Sequence, residues 1–599
     1  MRREHHQLHA HQPQLQAFHH LADPVRVGQG ICRVAQPGHP VVHHRHAQAG
    51  LLVRHIAARR PRRAHCHGCI LKNPRALANT LFDVASINMA PAVDDLASTI
   101  QQDDRPDDRA EEPLEMTITT DQATMATTTI TQADGVHLIL PDSLDVITPY
   151  VLMEQEDWFE DELRFLRRAV EPGQQVIDIG ANYGVYALSL AKAVGEQGRV
   201  WAFEPTSSTA ALLTRSATLN GFSQLTVRQA AVSSEAGTAS LALLASPECN
   251  ALLRGQVHEG AIESVPMVTL DQEMASHGWE RIDVLKIDAE GEETRILAGA
   301  RQLLADMSPL VMYEARAEGD LDSDVVRAFT AQGYASYRLV PGLGVLVPFD
   351  AEALPDEFLL NLFACKPDRA ALLAARGLLL TADDVERGRQ AAQRPASSEA
   401  WAWPQALGGL AYARGLAERW AGTTLHDPRR PQLEAALALH AMSRDPAVPM
   451  AERYGALAAS VSALQTLCDA DPAALRHASL ARAASEHGDR MVAVRALREL
   501  GTRIIERKKV DSDEPFLAPL ARFDEVSPGK SIGNWALGTV LEALERQDAF
   551  SSFYTGKNSL DRLKSIQALG FASPEMFRRL KLVEHRHGQA VPQQAHFAA

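Results

Sequence analysis

The stretch VIDIGANYGVYALSLA, residues 176–191, decides the fold. An apolar, β-branched run stops at Asp178. Gly180 and Gly184 follow with Asn182 between them, and apolar residues then recur at helical spacing. The order reads as strand, tight loop, helix. Glycine lets the backbone turn tightly and lets a ligand come close, and the helix that follows opens with unpaired N–H groups.

The same alternation continues outward. The strands predicted are QVIDIG (175–180), RVWAFEP (199–205), LTVRQAAV (225–232), IDVLKIDAEG (282–291) and PLVMYEA (309–315). Helices are predicted near 184–194, 206–219 and 291–305. Strands alternating with helices imply βαβ units and a doubly wound parallel sheet covered on both faces. YASYRLV (334–340) and LNLFACKP (360–367) read as an antiparallel pair closing it. GTASLALLASPECNALLRG (237–255) and VPMVTLD (265–271) read as extra short strands or a flap. Upstream, EDWFEDELRFLRRAVEPGQQ (156–175) reads as an amphipathic helix with Trp158, Phe159, Leu163, Leu166 and Val170 on one face, ended by Pro172-Gly173.

The 599 residues exceed one domain. Formal net charge is −15, and past residue 120 no basic face points to nucleic acid. No apolar run approaches the roughly 18–20 residues of a membrane span. Six scattered cysteines make no disulfide framework, so the expectation is a soluble, cytoplasmic protein. Residues 1–115 stand apart: 13 of the 23 His precede residue 70, Arg is abundant, and no Lys precedes Lys72. Three readings stay open there. One is a zinc site at His65, Cys66, His67 and Cys69. Another is a disordered tail. The third is text from a wrong frame of a GC-rich gene, with the start at Met116 or Met89. Residues 116–367 are expected to form the sheet domain. Residues 368–599 are Ala/Leu/Arg-rich and read as a helical bundle or a tetratricopeptide-like solenoid, with a helix turn at Gly488-Asp489. PGKS (528–531) is no phosphate loop, because Asp524 stands where that motif needs its first glycine.

In a doubly wound sheet, ligands bind outside the carboxyl ends of the strands. Asp178 and Gly180 end the first strand; Glu204 and Pro205 end the second. A carboxylate at the second strand end can accept both hydroxyls of a ribose. The loop lacks the glycines of the dinucleotide fingerprint and carries Asp178, which is poorly placed for a pyrophosphate. It suits a nucleoside cofactor with an ammonium group and no phosphate, and S-adenosylmethionine fits. A nicotinamide oxidoreductase is the rival enzyme reading, and a scaffold with a vestigial site the non-enzyme one. Plain readings exist for single residues: Asp178 as a helix cap, Glu292 and Glu293 as favourable charges at a helix start.

VIDIGANYGVYALSLA, VWAFEP, LN at 219–220, QAAVSSEAG, VTLD and LKIDAEGEE resemble, in that order, the FkbM family of S-adenosylmethionine-dependent methyltransferases, over roughly 155–320. The resemblance implies a class I methyltransferase (Rossmann-like) fold and O-methylation of a hydroxyl on a sugar, glycan or other small-molecule acceptor. By it, Asp178, Gly180, Asn182 and Gly184, with Tyr183 alongside, cradle the methionine part. Glu204 and Pro205 hold the ribose, and Gln229, Ala230 and Ala231 border the adenine. It says nothing about the helical third, which could recognise the acceptor or a partner protein.

LKIDAEGEE adds chemistry. Lys286, Asp288 and Glu290 alternate, so a continuing strand puts them on one face. A hydroxyl nucleophile must lose its proton, which makes Asp288 and Glu290 candidate bases with Lys286 orienting them. Glu314, on the neighbouring strand, is a third carboxylate. Two readings stay open beside this: a structural Lys286–Asp288 ion pair, and a divalent metal held by the carboxylates. Trp158, Tyr183 and Tyr186 either face a sulfonium or pack in the core.

Overall fold

The computed structural model describes residues 126–588 except 245, 255–257, 259, 318–319, 353–355, 423–428 and 471–474, together with 6–7. The His65–Cys69 cluster and both alternative starts lie outside the described residues.

A hairpin of β1 (Thr127–Thr131) and β2 (His137–Pro141) leads into helices α1 (Ile147–Gln155) and α2 (Asp161–Ala169). The core unit then alternates as β3 (Gln175–Ile179), α3 (Val185–Val194), β4 (Arg199–Phe203), α4 (Ser207–Leu219) and β5 (Leu225–Arg228). Four short strands follow: β6 (Ala231–Val232), β7 (Gly237–Ala242), β8 (Ala251–Leu252) and β9 (Ile262–Val268). Next come α5 (Leu270–His277), β10 (Val284–Ile287), α6 (Glu293–Ala298), α7 (Arg301–Met307), β11 (Leu310–Glu314) and α8 (Ser323–Ala331). The sheet ends with β12 (Ala335–Val340), β13 (Val345–Pro348) and β14 (Asn361–Cys365).

Eight strands form one sheet in the order β13-β12-β14-β11-β10-β3-β4-β5. From β11 to β5 neighbours are parallel, and β14 is antiparallel to both β11 and β12. This is the doubly wound sheet with an antiparallel closing strand. Its order reverses between β3 and β10, which opens a crevice at their carboxyl ends. Side chains alternate between faces. Val176 joins the core under α2, α3 and α4, whereas Ile177 and Ile179 join the core under α5 to α8. Each is fully or almost fully buried, a gain of about 1.5–3 kcal/mol per side chain.

Three expectations change. The helix expected over 156–175 begins only at Asp161. Glu156 turns left-handed at φ 64° and ends α1, and the Asp157 carboxylate binds Arg167 at 2.8 and 2.9 Å, so residues 157–160 stay outside the helix. The strand expected over 225–232 splits: Leu225–Arg228 stays in the large sheet, while Ala231–Val232 pairs with β9. Four strands, in the order β6-β9-β7-β8, make the flap. The helix expected over 291–305 breaks at Gly299, where a Cβ would meet the Ser233 carbonyl oxygen at 2.3 Å.

Beyond β14, α9 (Pro367–Ala375) packs back on the sheet through Ala370 and Leu373. Successive helices then stack on one another: α10 (Ala382–Ala391), α11 (Arg430–Arg444), α12 (Met450–Ala470), α13 (Arg476–His487), α14 (Arg490–Arg507), α15 (Ile532–Gln547), α16 (Ser552–Thr555), α17 (Leu560–Leu569) and α18 (Pro574–Arg586). Gly488, left-handed at φ 96°, turns α13 into α14. Ser531 caps α15 through the Asn534 N–H, which is the structural use of the PGKS stretch. The core of this region includes Val340, Val345 and Val347 from β12 and β13, so the sheet edge is buried against helices.

Candidate active site

A pocket opens at the carboxyl ends of β3, β4 and β10. Gly180 fixes its floor. It is left-handed at φ 71°, and a Cβ there would stand 1.8 Å from the Asp288 carbonyl oxygen. The Asp288 N–H donates to the Ile179 carbonyl, so the loops after β3 and β10 run in contact. Only glycine permits that approach.

Asp178 is buried at the end of β3. Lys286 Nζ lies 3.4 Å from its Oδ1, and neither carboxylate oxygen has a well-formed hydrogen bond among the described residues. Burial pushes this carboxyl up by more than Lys286 draws it down. Glu204 is buried at the end of β4. Its Oε2 accepts the Asn182 N–H at 2.9 Å and its Oε1 the Thr206 N–H at 2.8 Å. Asn182 is itself left-handed at φ 49°. Desolvation raises the Glu204 carboxyl to about 7, against the pull of those donors. The Thr206 hydroxyl donates to Glu204 as well; a carboxylate has about four acceptor sites, so one stays open for a ligand.

At the other end, β10 stops at Ile287, so alternation cannot carry Glu290 onto the face of Lys286. Glu290 reaches the pocket through a left-handed turn at φ 51° instead. Lys286 is buried, 3.1 Å from Asp288 and 5.1 Å from the centre of the Tyr186 ring. Burial lowers its pKa, but Asp288, Asp178 and Glu160 outweigh that and hold the amine above its ordinary range. Lys286 is therefore a fixed cation. Glu160 stands at the N-cap position of α2 without a side-chain cap bond and faces the same cluster. Its Oε2 accepts the Tyr186 hydroxyl at 2.5 Å, and the Trp158 side chain donates to it as well. Burial raises its carboxyl. Glu314, at the end of β11, also lines the pocket and sits in register with Asn361 of β14.

The structure thus brings together Asp178, Gly180, Asn182, Glu204, Pro205, Ala230, Ala231, Lys286, Asp288, Glu290 and Glu314. Tyr183, Gly184 and Gln229 do not line the pocket. The Tyr183 ring is buried in the core under α3, and Gly184 packs where a Cβ would meet Leu213 at 2.2 Å. Gln229 points instead to Glu263 at 3.3 Å. Of the aromatic residues, Tyr186 packs beneath Lys286, and Trp158 forms pocket wall.

Glu160, Asn361 and Tyr554 were not foreseen. A cap carboxylate ahead of an amphipathic helix and an Asn inside the apolar LNLFAC were the available signals for two of them. Tyr554 comes from the helical region, and nothing local marks it. The flap adds further ties. Asn250 Nδ2 donates to Thr206 Oγ1 at 3.0 Å, Glu248 accepts the Thr148 N–H at 2.9 Å, and Arg254 Nε binds Glu292 at 2.8 Å. Glu292 also accepts the Ser233 hydroxyl, so from the N-cap position of α6 its side chain serves as a clamp and makes no cap bond. Glu293 turns back to accept the Ala289 N–H at 3.1 Å.

Residues 178–336, which contain this crevice, match the methyltransferase FkbM domain. They form an FkbM-family methyltransferase domain. A curated relative, methyltransferase sdnD of Sordaria araneosa, is 28% identical over 154 residues, which is 21% of this chain and 59% of that protein. The chain thus spans under two thirds of that relative's length. Among solved structures, methyltransferase FkbM from Methylobacillus flagellatus is 18% identical, with 38% of this chain and 56% of that one covered and a TM-score of 0.23. An S-adenosylmethionine-dependent O-methyltransferase from Thermotoga maritima is 16% identical, covering 40% and 77%, with a TM-score of 0.21. The fold of the methyltransferase domain is read from its own strand order.

The residues of the methyltransferase domain fit S-adenosylmethionine. Glu204 keeps an acceptor site for a ribose hydroxyl, and Ala230, Ala231 and Leu241 give an apolar wall. Asp178, paired with Lys286 at 3.4 Å but without a well-formed hydrogen bond among the described residues, has acceptor capacity left for a ligand.

Proposed function

We propose that this chain transfers a methyl group from S-adenosylmethionine to a hydroxyl of a carbohydrate or similar small acceptor. The observation that carries the reading is Glu204, buried at the end of β4 and bound to the Asn182 N–H, beside the buried Asp178, whose oxygens make no well-formed hydrogen bond among the described residues. Bound there, the cofactor supplies an electrophilic methyl on a sulfonium. Asp288, at the methyl end, takes the hydroxyl proton as the new O–C bond forms and the C–S bond breaks. Lys286 holds Asp288 in place through their 3.1 Å contact, and Glu160 faces the same spot. Positioning the acceptor in line supplies much of the rate.

Oxygen as the methylated atom is supported by these carboxylates, which are suited to remove a hydroxyl proton. A cytoplasmic setting is supported by Cys249, Cys365 and Cys468, which are buried free thiols. No described helix is long and apolar enough to cross a membrane.

Calorimetry with S-adenosylhomocysteine and with NAD tests the reading. We expect S-adenosylhomocysteine to bind and NAD not to. Glu204→Ala should weaken that binding about a hundredfold, as for lost hydrogen bonds to a charged group. Binding of NAD alone would overturn the assignment.

A further inference from the structure

We propose that the helical region is part of the acceptor site. The subsite lies between Asn361 of β14 and Tyr554 of α16, walled by Trp158 and Phe159. It takes an uncharged acceptor that offers an oxygen to the Asn361 amide and an apolar face to the rings. The inference rests on the proposed function, since it presumes a methyl acceptor.

Asn361 is 5% exposed, lines the pocket, and its Nδ2 has no hydrogen-bond partner among the described residues. A buried donor left unmade costs about 1–3 kcal/mol. An oxygen of a bound molecule relieves that cost. Tyr554 lines the same pocket from the far end of the chain.

The turn that carries Tyr554 is fixed by several contacts. The buried Glu154 of α1 accepts the Ser552 N–H at 3.0 Å and its hydroxyl, and pairs with Arg579 at 3.3 Å. The Tyr150 hydroxyl meets Ser552 Oγ at 3.0 Å, and the Arg586 guanidinium lies 4.0 Å from the centre of the Phe553 ring. Trp158 stacks near Phe159 at 4.6 Å, and Phe159 against Phe550 at 5.0 Å. Rings from two parts of the chain therefore form one continuous wall. Flat, amphipathic rings suit the C–H face of a polyhydroxyl molecule.

Charge narrows the acceptor further. Among the described lining residues the one cation is Lys286, which is 4% exposed and engaged by Asp178 and Asp288. An acceptor bearing phosphate or carboxylate would be desolvated beside Glu160 and Asp288 with no cation to meet it. An uncharged molecule avoids that cost.

The test uses the full chain and methyl-tritiated S-adenosylmethionine. A small-molecule extract of the cells that make the protein is split by anion exchange into unretained and retained pools. Label should enter the unretained pool. Tyr554→Ala and Asn361→Leu should each raise the amount of pool needed for half-maximal labelling about tenfold. Each should keep the plateau rate and bind S-adenosylhomocysteine within about twofold of the parent. Tyr554→Phe keeps the ring and should label nearly as the parent does, while S-adenosylhomocysteine binding kept by Tyr554→Ala separates a lost contact from a misfolded chain. Label in the retained pool, label unmoved by both substitutions, or no label from a chain that binds S-adenosylhomocysteine would each overturn the proposal. A chain that does not bind S-adenosylhomocysteine fails the earlier reading instead.

Discussion

The two ends of the pocket are made from different materials. At the cofactor end, the loops after β3, β4 and β10 touch through backbone: Gly180 against Asp288, and the Asn182 N–H on Glu204. Gly180, Asn182 and Gly184 are all left-handed in the loop after β3. At the acceptor end, single side chains arrive from separate elements: Glu160 ahead of α2, Asn361 on β14 and Tyr554 on α16. Backbone contact tolerates almost no change, because each atom is also part of the fold. Side chains projecting from a settled scaffold can change without moving it, which is how one fold serves many substrates.

The sharpest way to break this contrast is Gly180→Ala. Its Cβ has no room beside the Asp288 carbonyl, and alanine resists a φ of 71°. We expect a stability loss of about 3 kcal/mol or more by urea denaturation, with no measurable binding of S-adenosylhomocysteine. A variant that melts and binds like the parent would show that backbone contact does not build this end.

Next in size are the carboxylates facing the methyl. Asp288→Asn should lower methyl labelling about a hundredfold while leaving S-adenosylhomocysteine affinity nearly unchanged. Glu160→Gln keeps the acceptor for the Tyr186 hydroxyl, and should cost only about tenfold in the same assay if Asp288 takes the proton. A reversed order of the two effects would move the base from the strand end to the cap of α2.

The contrast also governs what could be read from the sequence. Asp178, Gly180, Glu204 and Asp288 are strand-end residues in runs whose β-branched pattern is local, so their place needed no knowledge of the rest of the fold. Residues set by long-range contact were misread. Trp158 and Phe159 have helical spacing, but Asp157 is held by Arg167 of α2 and keeps them out of the helix. Gly184 looked like ligand-binding glycine; its lack of a side chain serves Leu213 packing instead. The single helix expected near 291–305 fails because the Ser233 carbonyl presses on Gly299. Tyr554 reaches the pocket only because Glu154, Arg579 and Ser552 join α1 to the helical region, and no sequence window holds those residues together.

The smallest expected effect is a pH dependence at the cofactor end. Burial raises the Glu204 carboxyl to about 7, whereas an unfolded glutamate titrates near 4.5. Between those values the folded chain holds a proton that the unfolded chain has released. Stability of the ligand-free protein should therefore fall as pH rises through that window. Binding runs the other way. Ribose hydroxyls donate best to the ionised carboxylate, so S-adenosylhomocysteine should bind about tenfold more weakly at pH 6 than at pH 8, in proportion to the ionised fraction. Glu204→Gln should flatten the binding profile and remove its share of the stability slope, the rest belonging to Asp178, Glu160 and Glu162, which burial also raises. If thermal melts lose part of their slope in the variant while the binding profile keeps its own, another residue titrates with the cofactor and Glu204 is not its ribose partner.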